Sequence, residues 1–303
     1  MRNYAKLKEE KKMAIKRILF EGLELLPPRR DIVLKALFLG KDGLELLASL
    51  LSCVLDQDIR AQDIIITNTE LPKIHESGKL SRIDLRVKLS CGEHVNVELQ
   101  LENEYNIARR SIFYTAKLYV DQLVSPMEFN ELCPTIAINI LDFDYLPYED
   151  YHNTYRLKNI KTNDELTDVF EIHFIELKKV PKDSSKHMKD LWMRFISADS
   201  EEELKVLSEE SAILKKAVEK LIYVSSDEDL RYQLDMREKA DLDYWSAMKT
   251  NYRKGKEEGR KEGKDEGRHE QALAIASKLV SIGEPIEKII SVTGLTYEEV
   301  ERL

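Results

Sequence analysis

The side chains best suited to chemistry lie in one alternating stretch, residues 80–101. Its first arm sets Ile83, Leu85, Val87 and Leu89 on one side and Arg82, Asp84, Arg86 and Lys88 on the other. The second arm sets Val95, Val97, Leu99 and Leu101 against His94, Asn96, Glu98 and Gln100. A period of two is that of a half-buried strand, and Ser90-Cys91-Gly92 suits a three-residue turn with Gly92 in the left-handed conformation. Leu89 then faces Glu93, and counting back along the arms sets Asp84 opposite Glu98, with β-carbons about 4.5–5.5 Å apart. A two-residue slip still leaves Glu98 on the polar face. Facing carboxylates repel unless a cation lies between them, and a hard divalent ion, Mg²⁺ or a similar metal, answers that need. Such an ion, held with positions open to water and phosphate, can drive phosphodiester hydrolysis. A cross-strand salt-bridge cluster with Arg82, Arg86 and Lys88 explains the same residues without chemistry. Spacing alone leaves both readings open.

The elements around this hairpin must hold it. Residues 5–26 read as a charged helix that ends before Pro27-Pro28. From Asp31, Leu34, Leu37 and Phe38 share a helical face, with Asp31 and Lys35 on the same short helix. Gly40 and Gly43 break it, and Leu44–Leu55 repeats the apolar helical spacing. Ile64-Ile65-Ile66 is a short strand, and a loop from Pro72 to Gly78 leads into the hairpin. Glu102–Leu123 reads as a helix whose Arg109-Arg110 lies within reach of a phosphate near the carboxylates, or else forms a solvated basic turn. Thr135–Leu141 is a continuous apolar run, as in a strand buried on both faces. Residues 143–155, rich in tyrosine, read as a loop, and Val169–Leu177 as another strand. Helices and strands in this order predict an α/β fold, a mixed central sheet with flanking helices.

Beyond the sheet the pattern turns helical from Lys186 to about Thr250, with Leu191, Trp192, Phe195 and Ile196 on one face. Gly255, Gly259, Gly263 and Gly267 then recur every four residues, flanked by basic and acidic stripes. Each glycine costs a lone helix about 1 kcal/mol, so this tail is either a helix steadied by a partner, most simply a second copy, or a charged linker. Residues 271–303 form a helical pair punctuated by Gly283 and Gly294, with Thr296 and Glu299 as a capping box. The pair has the outline of a helix-turn-helix. Glu298, Glu299 and Glu301 would face phosphate, however, which favours packing or assembly. The expected divisions are 1–180 for the sheet domain with its N-terminal helices, 181–250 for a helical extension, and 251–303 for the tail.

The 303 residues, 43% hydrophobic, can fill a large core. No apolar run spans a membrane, no signal peptide is evident, and three scattered cysteines make neither a disulfide framework nor a metal pair. A cytoplasmic protein is expected. The net charge of −9 argues against nonspecific attraction to nucleic acid, though a nuclease can be acidic overall.

Asp84 followed by Glu98-Leu99-Gln100 resembles the PD-(D/E)xK nuclease pattern, an Asp on one strand and Glu-x-Lys on the next. The wider frame is similar to the recombination-promoting nuclease and transposase family of that superfamily. It is carried by Asp31-x-x-x-Lys35-x-x-Phe38, Ile83-Asp84-Leu85, Val97-Glu98-Leu99-Gln100, Arg109-Arg110 with Tyr114, Glu176-Leu177-Lys178-Lys179, and the Gly-rich tail ending in Thr293-Gly294-Leu295. The resemblance implies a restriction-endonuclease-like core and a Mg²⁺-dependent DNA endonuclease of the bacterial cytoplasm, tied to recombination or mobile elements. Asp84 and Glu98 would hold the metal, and Gln100 takes the place of the superfamily lysine. Gln cannot act as a base, so water activation would fall more heavily on the metal. Asp31 would join as a further acid and Lys35 would supply the missing positive charge.

A literal Glu-x-Lys occurs elsewhere, at Glu176-Leu177-Lys178, with Asp168 before it. On one strand those two acids lie roughly 26 Å apart at about 3.3 Å per residue, too far to share an ion. The rival function is a catalytically weak oligomeric or DNA-associating protein that keeps the fold. A carboxylate-pair glycosidase is more distant, because no sugar-stacking aromatic platform adjoins the acids.

Overall fold

A computed structural model describes residues 17–40, 42–68, 84–101, 103, 105–124, 126, 128–181 and 186–303. The chain divides into two compact units, 1–237 and 238–303. The expected loop at 72–78, the first 16 residues and the Arg82-Ile83 end of the hairpin lie outside the described residues.

The first unit opens with a correction. Residues 17–25 are not the end of a helix but a small hairpin, β1 (Ile18–Phe20) paired antiparallel with β2 (Leu23–Leu25). Glu21 and Gly22 both take positive φ, 48° and 83°, the requirement of a two-residue turn between strands. Ile18, Phe20 and Leu25 bury their side chains, so a period of two overrides the helical propensity of the neighbouring Lys and Glu.

Helices α1 (Asp31–Phe38) and α2 (Gly43–Leu55) follow, and then a six-stranded mixed sheet. Its strands are β3 (Ile64–Ile66), β4 (Asp84–Leu89), β5 (His94–Gln100), β6 (Thr135–Leu141), β7 (His152–Lys158) and β8 (Glu165–Glu176), in spatial order β3-β4-β5-β6-β8-β7. The three strands β3, β4 and β5 form an antiparallel meander, while β5, β6 and β8 run parallel. Parallel neighbours need a crossover, and between β5 and β6 this is helix α3 (Ile107–Val120). All seven residues of β6 are buried, as its apolar run requires. The tyrosine-rich stretch is shorter as a loop than expected: 152–155 belong to β7.

Helices α4 (Met188–Ser197), α5 (Glu201–Glu210) and α6 (Ala212–Ser225) share one core with α1, α2 and the sheet. Trp192 is fully buried, its ring tilted against Phe38 at 6.2 Å and its Nε1–H donating to Ser49 Oγ at 3.0 Å. α7 (Glu228–Ser281) begins in this unit, where Leu230 and Leu234 join the same core.

In the second unit the glycines lie within α7, and a β-carbon built on any of the four meets nothing within 4 Å. Its own small core joins Ala276 to Ile289, Leu295 and Val300 of α8 (Ile286–Thr293), α9 (Tyr297–Glu301) and the turn between them. The capping box forms as read: Glu299 N–H donates to Thr296 Oγ1 at 3.3 Å, and Thr296 N–H to Glu299 Oε2 at 2.8 Å. No helix among the described residues is long and apolar enough to cross a membrane.

Candidate active site

The hairpin turn sets the register of everything that follows. Gly92 has φ +101° and its N–H donates to Leu89 O at 2.9 Å, while Leu89 N–H donates to Glu93 O at 2.9 Å. A β-carbon on Gly92 would also lie 2.6 Å from Cys133 Sγ, so both conformation and space exclude a larger residue. From this turn the pairing runs back in step, and Asp84 stands opposite Glu98.

Alternation sends Val95, Val97 and Leu99 to the α1 side of the sheet and Asn96, Glu98 and Gln100 to the α3 side. In the parallel neighbour, Asn139 pairs with Glu98 and Leu141 with Gln100. α3 buries Ile107, Ser111 and Thr115 at every fourth position. The small side chains of Ser111 and Thr115 let the helix approach, and Ser111 Oγ accepts from Asn139 Nδ2 at 2.9 Å. One residue earlier, Arg110 reaches Glu98 Oε1 with its guanidinium in a mostly buried ion pair, and its Cζ lies 5.9 Å from the ring centre of Tyr114.

Glu98 and Gln100 are each only 5% exposed. Both amide atoms of Gln100, and Oδ1 of Asn96, are buried without a hydrogen-bond partner among the described residues. A buried polar atom without a partner costs about 1–3 kcal/mol. Three on one face, flanking a carboxylate, mark a place prepared for a polar guest.

The expected site residues therefore separate into groups. Glu98, Gln100 and Arg110 come together at the hairpin and α3, with Asp84 opposite Glu98 in the strand register, whereas Arg109 is exposed. Asp31 accepts from Ile32 N–H at 2.8 Å and pairs with Arg237 at 3.3 Å. With the buried Lys35 it borders a narrow cavity against Leu85, Val97 and Leu99, so α1 approaches these strands from their apolar side. Among the described residues no group of three or more His, Cys, Asp or Glu side chains is placed to hold a metal ion; Asp84 is described by its backbone position only. Just beyond Gln100, burial raises the Asp142 carboxyl above its ordinary range, opposed by Arg29, Lys178 and Arg30.

The literal Glu-x-Lys behaves otherwise. Glu176 is fully buried and accepts from Tyr145 N–H at 2.5 Å, Leu146 N–H at 3.1 Å and Lys179 Nζ at 2.9 Å, while Lys178 is exposed. It fastens the 142–151 loop to the sheet. Sequence reasoning missed Asn139, although a lone amide within an apolar strand is a visible signal. It placed Asn96 on the polar face, but not its unpartnered Oδ1.

No curated protein and no solved structure matches the chain. A family model described as PD-(D/E)XK nuclease family transposase matches residues 28–251, which takes in α1, the whole six-stranded sheet, the Asp84–Glu98 hairpin and α3. With most of the chain matched, the chain belongs to the PD-(D/E)XK nuclease family transposases, nucleases tied to mobile elements.

Proposed function

We propose that the protein is a divalent-metal-dependent DNA endonuclease of the cytoplasm, with Asp84 and Glu98 as metal ligands. The observation that carries the reading is the register opposing Asp84 to Glu98 beside the unpartnered amide of Gln100. The donor set fits a hard ion: two carboxylates and an orphaned amide oxygen are the oxygen ligands Mg²⁺ prefers. When bound, such an ion lowers the pKa of the attacking water and offsets charge developing at the phosphate.

The chain's own residues do the rest. Gln100 can donate through Nε2 to a water or phosphate oxygen and orient it, but it cannot take the proton. Arg110 stands at Glu98 as a cation, and once released from that carboxylate its guanidinium suits a phosphate oxygen bidentately. Arg109, exposed on the same helix, adds a weaker phosphate contact. Lys35 and Asp31 are assigned a supporting electrostatic role from the α1 side. Plasmid incubated with Mg²⁺ or with chelator tests the reading: cleavage in the first only is expected, and no cleavage under any divalent ion would overturn it.

One observation favours a second reading, a catalytically weak DNA-associating protein. Gln100 supplies no base and Arg110 already neutralises Glu98. Metal-independent DNA binding without cleavage would mark that outcome.

For the tail we propose pairing between copies. Its glycines hold helical geometry at a cost of about 1 kcal/mol each with open space over every one, and symmetric pairing is the commonest assembly. Truncation after Thr250 is expected to turn an oligomer into a monomer by light scattering. A full-length monomer at high concentration would end this part of the proposal.

A further inference from the structure

The sheet carries a second polar site on its other face. His152, Thr154, Arg156 and Lys158 alternate along the edge strand β7, and His173 and Glu171 alternate along β8 with Ile175 of the main core. Phe174 and Glu176, on the intervening positions, turn to the α3 side with Glu98. The strand residues line a cavity of about 390 Å³, closed by Asp56 at the end of α2 and Lys189 of α4. That volume falls in the range of small-molecule sites, roughly 300–1,000 Å³.

A chain of hydrogen bonds organises its floor. His173 Nε2 lies 2.6 Å from Glu171 Oε1, and His173 Nδ1 lies 2.8 Å from His152 Nε2 and 3.2 Å from Thr154 Oγ1. A carboxylate only accepts, so His173 carries its proton on Nε2. With His173 neutral, its Nδ1 accepts from His152 Nε2–H; with His173 protonated, His152 accepts there instead. Either way both ring nitrogens of His173 and Nε2 of His152 are engaged, leaving Nδ1 of His152 to a ligand, as acceptor in the first case and as donor in the second. Burial, then His173 and Lys189, push the His152 imidazole down to about 4, so His152 itself stays uncharged near neutrality. Such a relay lets the ring match a ligand that presents either an O–H or a bare oxygen.

The charges above that floor are positive and partly unspent. Arg156 is held by Glu171 and, at 3.3 Å, by Glu165. Lys158 makes no ion pair among the described residues, and the ion pair Lys189 makes among them is with Asp56, at 3.6 Å, whose side chain is 83% exposed. An exposed pair of that kind is worth about 0–1 kcal/mol, so an incoming anion can displace it.

We infer that this cavity binds a phosphate monoester, the terminal phosphate of a nucleotide or of a DNA strand end. A monoester carries about −1.5 to −2 charge at pH 7 and both bare and protonatable oxygens, which matches Lys158, Lys189 and the His152 ring. A diester within a strand carries one charge and no such proton. The inference does not rest on the nuclease reading, because the site lies on the other face from Glu98.

Calorimetry on the full-length protein in chelator tests it, with inorganic phosphate, deoxyadenosine 5′-monophosphate and deoxyadenosine as probes. The two phosphates are expected to bind and the nucleoside not. Affinity should fall about tenfold in Lys158→Met and in Lys189→Met, and fall in His152→Asn. Lys158 is exposed, so its variant keeps the test sound should His152→Asn fail to fold. Oligonucleotides with 5′-phosphate and 5′-hydroxyl ends separate the sources. Tighter binding of the phosphorylated strand than of the mononucleotide identifies a DNA end, and equal binding identifies a free nucleotide. Absence of phosphate binding, binding indifferent to both lysine variants, or equal binding of the 5′-hydroxyl strand would overturn the proposal.

Discussion

Glu98-Leu99-Gln100 and Glu176-Leu177-Lys178 are near-copies in sequence on strands of one sheet, and their surroundings differ in kind. Glu176 has every partner a buried carboxylate needs, two backbone N–H groups and Lys179, and all are local structure. Glu98 faces another acid across the hairpin in the register, pairs with an arginine from α3, and has unpartnered amide atoms of Asn96 and Gln100 on either side. A carboxylate that closes its own hydrogen bonds holds a loop in place. One left among unsatisfied polar atoms has free energy to gain from a guest, and that difference separates the two better than the presence of a lysine does.

The comparison fails most visibly if the wrong glutamate controls the chemistry. Glu98→Ala, or Asp84→Ala, is expected to lower Mg²⁺-dependent plasmid cleavage at least about a thousandfold, ~4 kcal/mol of transition-state stabilisation, with circular dichroism unchanged. Wild-type cleavage by either variant would remove the hairpin from consideration.

Glu176→Ala is expected to act on stability instead. Removing one member of a buried, hydrogen-bonded pair costs about 3–5 kcal/mol, and here Lys179 and two N–H groups lose their acceptor. Urea unfolding should show the lower midpoint, while the metal requirement of cleavage stays as it was at a temperature where the variant is folded. A changed metal requirement with normal stability would reverse the two roles.

Arg110→Met sharpens the contrast from the cation's side. Glu98 then lacks the guanidinium, which should destabilise the metal-free protein by about 1–3 kcal/mol. An ion that binds only the folded state stabilises it in proportion to RT ln(1 + [L]/Kd), so Mg²⁺ or Mn²⁺ should raise the melting temperature more in the variant than in the wild type. Equal shifts would mean that Arg110 and the metal do not compete for Glu98.

The hairpin could be read from sequence because its information is local. Alternation chooses the faces, Gly92 chooses the turn, and together they oppose Asp84 to Glu98. The same kind of evidence lay in Glu21-Gly22, where two positive φ values make a hairpin, yet the flanking Lys and Glu residues suggested a helix over 5–26. What sequence could not disclose depends on how separate elements stack. Arg110 meets Glu98 only because Ser111 and Thr115 are small enough for α3 to settle on β6. The His152–His173 site needs two antiparallel strands in register, with the end of α2 and the start of α4 beside them.

The smallest effect is expected where the two tripeptides are made most alike. Gln100→Lys converts Glu98-Leu99-Gln100 into a literal Glu-x-Lys. Both side chains are long, and the new ammonium would enter a face that already holds Glu98 and Arg110, with Asp84 opposite Glu98 in the register. Charge balance of that kind offsets the desolvation of the lysine, so the stability change should stay within about 1 kcal/mol, typical of a tolerated substitution. The variant loses the Gln100 amide oxygen as a donor to the metal and gains a competing cation, so Mg²⁺ should bind a few-fold more weakly yet still bind by calorimetry. Complete loss of metal binding would give Gln100 an orienting role that lysine cannot fill, and it would make the departure from the superfamily pattern a working feature of this site.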